Sequence, residues 1–111
     1  MLSITRRDDK VFTFYFFDED GSAIDLTNCS LFVTVKQYED DTDANAKIAD
    51  SLTITDATGG IATWTLEPDD TTYLRGIYFL DVQLVDSSDK VYTLIRDRFE
   101  VLSDYTIRTS V

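Results

Sequence analysis

Apolar and polar residues alternate with a period of two through most of this chain, the spacing of strands with one buried face. The clearest case is Gly76 to Leu94, where Tyr78, Leu80, Val82 and Leu84 alternate with Asp81 and Gln83. Asp86-Ser87-Ser88-Asp89 then turns the chain into Lys90-Val91-Tyr92-Thr93-Leu94. This predicts a long antiparallel hairpin over 77–102. Upstream, Leu2 to Thr5 and Val11 to Phe17 read as strands, the second closed by Asp18-Glu19-Asp20-Gly21. Ala23 to Leu26 is a brief extended piece, and Ser30 to Tyr38 a full strand with Leu31, Val33 and Val35 on one face. Lys47 to Thr55 reads as one strand with Leu52 and Ile54 inward, and Ile61 to Glu67 as another with Ala62, Trp64 and Leu66 inward.

The interruptions carry turn chemistry. Glu39 to Asn45 is an exposed polar loop, Asp56 to Gly60 a turn, and Pro68 to Leu74 a single helical turn with proline in its first turn. Leu94 and Phe99 have opposite parity, so both reach the core only through a β-bulge, expected near Arg96-Asp97-Arg98. About seven short strands without a substantial helix argue for an antiparallel two-sheet β-sandwich, with a small barrel as the alternative. The length of 111 residues fits one domain, with its core at about 4–102 and a tail at 103–111.

Composition narrows the function classes. An apolar content of 43% excludes a disordered chain, because that much apolar surface offsets ordering entropy. No apolar run approaches the roughly 20 residues that span a bilayer, and the first nine residues lack a signal-peptide pattern. A net charge of −11 disfavours nucleic acid, whose phosphates require clustered Lys and Arg. Histidine is absent, which removes the commonest general base and zinc ligand and every Ser-His or Cys-His nucleophile. The single cysteine, Cys29, allows no internal disulfide and is expected to be a buried, inert thiol.

Candidate chemistry is correspondingly sparse. Asp18-Glu19-Asp20 and Glu39-Asp40-Asp41 with Asp43 offer carboxylates to a cation, but without the spacing of a calcium loop they read as solvated turns. Arg6-Arg7 and Arg96 with Arg98 are the paired basic sites, expected to balance Asp8, Asp9 and Asp97 or to meet a partner's carboxylates. Asn28-Cys29-Ser30 fits a glycosylation sequon, discounted for want of a secretory signal. Trp64 could stack on a sugar, but its alternation with Ala62 and Leu66 places it in the core. In the second strand Phe12, Phe14 and Phe16 face inward, which leaves Val11, Tyr15 and Phe17 on a face that a sandwich usually gives to polar groups. These three are the candidate protein interface. No catalytic residue, cofactor site or metal site is expected.

Several segments together resemble a family of small immunoglobulin-like structural proteins of tailed bacteriophages, related to the N-terminal domain of the baseplate upper protein. They are Ile4 to Asp9, Asp18 to Thr27, Phe32 to Lys36 with the 40–44 loop, Ile54 to Gly60, Thr65 to Thr71 and the Gly76-to-Val101 hairpin. The likeness spans 4–102; Arg7 stands where the family usually has glycine, and Asp97-Arg98 replaces a glycine-containing turn. The resemblance implies an immunoglobulin-like sandwich and a non-enzymatic virion protein made in the host bacterial cytoplasm. It implies a tail or baseplate adaptor that binds other virion proteins in multiple copies, with capsid decoration or a head–tail connector as the alternative. A carbohydrate-binding module is the reading from a different class.

Overall fold

The computed structural model describes residues 1–42 and 45–104. Eight strands and one helical turn follow in order: β1 Leu2–Thr5, β2 Lys10–Tyr15, β3 Ser30–Lys36, β4 Ile48–Ser51, β5 Thr53–Asp56, β6 Ile61–Leu66, α1 Pro68–Thr71, β7 Gly76–Val85 and β8 Val91–Leu102. They form a five-stranded sheet, β1-β8-β7-β3-β4, facing a three-stranded sheet, β2-β6-β5. This is the layering of an immunoglobulin-like sandwich. Every pairing is antiparallel except that of β1 with β8, where Leu2 to Thr5 run parallel to Phe99 to Leu102.

Strand alternation builds the core. Leu31, Val33 and Val35 of β3 and Tyr78, Leu80, Val82 and Leu84 of β7 are buried, and they meet Phe14, Ala62, Trp64 and Leu66 from the smaller sheet. At the centre Trp64 lies 5.6 Å from Phe12 and 5.4 Å from Phe99 between ring centroids, so aromatic contacts tie the two layers together. The indole N–H of Trp64 donates to Asp50 at 3.3 Å, a polar link from β6 to β4 across the layers. Pro68 opens α1, and the Asp70 carboxylate accepts from the Glu67 N–H at 2.8 Å, which caps the turn. Just beyond, the Tyr78 hydroxyl accepts from the Arg75 N–H and donates to the Arg75 carbonyl. The entry to β7 is fixed in this way.

Three sequence expectations are corrected. Lys47 to Thr55 is not one strand: β4 and β5 lie in different sheets, and the chain changes layer at Leu52. Leu52 is buried there and donates its N–H to Leu31, so burial and pairing are both met while the direction changes. The β8 bulge falls earlier than expected: Val82 pairs with Ile95 and Gln83 with Thr93, leaving Leu94 as the extra residue. Leu94 and Ile95 both pack against the core, and the strand runs regularly through Asp97 to Phe99. Finally, β2 stops at Tyr15. Beyond it Phe17 makes an isolated bridge to Ala23, which is where the brief extended piece belongs. Part of the expected 39–45 loop (43–44) and most of the tail (105–111) lie outside the described residues.

Candidate protein interface

Strand pairing puts β2 at one edge of the three-stranded sheet, hydrogen-bonded among the described residues to β6 alone. Phe16 donates its N–H to Gly60, and its carbonyl accepts from Ile24. Backbone groups alternate sides along a strand, so the even-numbered residues of β2 face β6. Val11, Thr13, Tyr15 and Phe17 therefore turn their N–H and C=O groups toward the open edge. In the constant-type immunoglobulin arrangement the first strand flanks the second. Here β1 pairs with β8 in the opposite sheet, and the place beside β2 is vacant among the described residues.

The same residues carry the outward side chains. Val11 is 57% exposed, Tyr15 61% and Phe17 60%. Their direct cross-strand neighbours on β6 are uncharged: Thr65 opposite Val11, Thr63 opposite Thr13 and Ile61 opposite Tyr15; one strand further, on β5, Thr53 lies beyond Thr63 and Asp56 beyond Ile61. On a chain with 21 acidic residues this face bears none on β2 or β6. It combines an unpaired edge with a low desolvation cost. Its ends are charged, with Lys10 before it and Asp18-Glu19-Asp20 after it.

Gly60 fixes the turn behind this edge. Its φ of +67° is left-handed, and a Cβ would lie 2.7 Å from the Phe16 carbonyl oxygen and 2.9 Å from that of Ile24. Only glycine meets both constraints.

The other candidates resolve differently. Arg6 pairs with Asp104 at 2.7 Å rather than with Asp8 or Asp9. Its guanidinium donates to that carboxylate and holds it below the ordinary aspartate value. Arg7 adopts φ +69°, donates its N–H to the Thr71 hydroxyl oxygen at 2.8 Å, and keeps a buried Nε with no partner among the described residues. Asp97 meets the Met1 ammonium at 3.3 Å and accepts from the Arg98 N–H, the larger cause of its lowered pKa. Arg98 sits over Phe79, 5.8 Å from the ring centroid.

Arg96 and Arg98 share the outer face of the larger sheet with Lys36. There a cleft of about 310 Å³ is also lined by Thr34, Glu39, Phe79 and Asp81. Three cations and several carboxylates thus alternate in one place, a pattern that sequence order alone did not reveal. The cross-strand register, Thr34 to Asp81 to Arg96, is what assembles it.

The acidic turns use their carboxylates on their own backbone. Asp18 accepts from the N–H groups of Asp20 and Ser22, and Asp20 accepts from Ser22. Hydrogen bonding, first with Asp18 and then with Ser22, lowers the Asp20 pKa. Asp41 accepts from the Tyr38 N–H, and Asp43 lies outside the described residues. Among the described residues no group of three or more His, Cys, Asp or Glu is arranged to hold a metal ion. Cys29 is half-buried rather than buried; desolvation raises its thiol pKa, and Asp86 and Asp25 add to the effect. Trp64 is 1% exposed and unavailable to stack on a sugar.

Comparison with known proteins finds no protein-family model that matches the chain and no curated protein similar to it.

Proposed function

We propose that this protein is a non-enzymatic assembly module of a tailed-phage virion, a tail or baseplate adaptor that docks neighbouring virion proteins along β2. The observation that carries the docking mode is the coincidence, on Val11, Tyr15 and Phe17, of exposed apolar side chains with an unpaired strand edge. A partner strand laid there gains main-chain hydrogen bonds and covers apolar surface in one step. The assignment to a phage particle rests on the family resemblance over 4–102. At Arg7, where that family usually carries glycine, this chain departs from it and still holds a left-handed backbone. Capsid decoration and the head–tail connector use the same docking surface and remain the alternative placements.

The test is co-expression with the structural proteins encoded beside it, followed by recovery of assembled particles. Wild-type protein is expected in the particles, and Tyr15→Glu is expected to be excluded from them while folding normally. Tyr15→Glu entering particles at wild-type copy number removes the β2 surface from the account. Absence of the wild-type protein from every particle removes the virion role.

A further inference from the structure

We propose that the cleft on the outer face of the five-stranded sheet is a carboxylate site, in which Arg96 and Arg98 clamp an acidic side chain on an extended segment of a different protein. The site lies on the other sheet from β2 and does not depend on docking at that edge.

Arg96 and Arg98 are two apart on β8, so their side chains leave the same face with about 7 Å between them. Both line the cleft of about 310 Å³. Neither guanidinium forms an ion pair or a side-chain hydrogen bond among the described residues, on a chain that offers 21 carboxylates. Arg98 rests instead over the Phe79 ring, a contact that holds its head group without using an N–H donor. Two adjacent guanidiniums with unused donors are suited to receive an oxyanion bidentately.

The charge count selects the kind of anion. Of the three acids that line the cleft, Asp97 is neutralised by the Met1 ammonium at 3.3 Å. Lys36 and Asp81 already have partners, and Glu39 stands exposed. Lys36, Arg96 and Arg98 against Asp81 and Glu39 leave one positive charge in surplus, on a molecule whose net charge is −11. One carboxylate cancels that surplus, whereas a phosphate dianion overshoots it beside two acids.

The surroundings select the carrier. The aromatic ring that lines the cleft, Phe79, carries Arg98, which leaves its face closed to a stacking sugar. Ile77 is 55% exposed and Phe32 42%, and both project from the same face, two residues from Phe79 and Thr34 of the lining. An extended segment with apolar residues two places either side of its acid covers them while the carboxylate enters the cleft. A second copy of this chain brings −11 against −11, so the segment belongs to another protein.

The experiment is a titration of the isotope-labelled full-length protein at low salt. It is followed by NMR at the backbone amides of Thr34 and Phe79 and the Nε–H groups of Arg96 and Arg98. The probes are the blocked pentapeptide Val-Thr-Glu-Thr-Val, its glutamine counterpart, glucuronate and inorganic phosphate. The glutamate peptide is expected to shift these signals with a Kd in the millimolar range, about fivefold tighter than the glutamine peptide. Combining Arg96→Gln with Arg98→Gln should abolish that preference while leaving Tm near wild type, because both side chains are exposed. If the double variant misfolds, the two peptides compared on wild type decide.

Equal shifts with the two peptides overturn the site. Tighter binding of glucuronate or phosphate than of the glutamate peptide overturns a protein carboxylate as the ligand. Movement of the same signals when the protein alone is concentrated makes a second copy the occupant and overturns the choice of partner. Every one of these outcomes leaves the β2 surface to be judged by Tyr15→Glu in particles.

Discussion

Arg6 and Arg7 are neighbours in sequence with different roles. The first reaches 98 residues along the chain to Asp104, at the end of β8. The second spends its backbone on a left-handed turn and on the Thr71 hydroxyl, which is itself completely buried. Because Arg6 stabilises the charged form of Asp104, the pair contributes fully above the ordinary aspartate value. Its contribution is lost as pH falls through the depressed one. In Arg6→Gln the Asp104 carboxyl should titrate closer to its ordinary value, read by NMR, and the stability difference from wild type should vanish in acid. An unmoved titration would assign the shift to other donors. The partners of Arg6 were illegible in sequence, since nothing local distinguishes Asp104 from Asp8 or Asp9.

At the scale of elements, alternation gave the inward faces of β2, β3, β6 and β7 correctly, because a half-buried strand imposes period two whatever it packs against. It could not separate β4 from β5. A strand that leaves one sheet and enters the facing one keeps its alternation, with Leu52 buried at the crossing. The bulge was legible as a parity conflict between Leu94 and Phe99, but its place depends on the partner strand, and β7 sets it at Leu94. The turn at Gly60 offers the sharpest test of element geometry. Gly60→Ala should lower stability by about 2 kcal/mol or more, from the left-handed backbone and the contact with two carbonyl oxygens. Urea unfolding would show this as a lower midpoint at unchanged slope. A midpoint equal to wild type would mean that this turn relaxes freely.

For the whole molecule the dominant quantity is charge. Ten basic residues against 21 acidic ones leave −11, an excess that ion pairs such as Met1 with Asp97 and Arg6 with Asp104 do not remove. Screening should therefore stabilise the fold: raising NaCl from very low to physiological concentration is expected to lift Tm by a few degrees. A fall in Tm would show that local pairs outweigh the net field. Repulsion would be least costly for the proposed interface on β2, where the outward side chains of β2 and β6 are threonine, isoleucine, valine and aromatics. The candidate trio was visible in sequence as apolar residues on the wrong face. The open edge was not, because it depends on where β1 goes.

What the sequence settled by itself was local and periodic: most of the strands, the inward faces of β2, β3, β6 and β7, the turn residues and the exposure expected of Val11, Tyr15 and Phe17. Each follows from pleat geometry and side-chain chemistry within a few residues. The tertiary structure alone decided which strands are neighbours, and so that β1 joins β8, that β2 has no second flank among the described residues, and that Lys36, Arg96 and Arg98 gather on one face. Strand adjacency is chosen by packing between segments distant in the chain, and no local pattern encodes it.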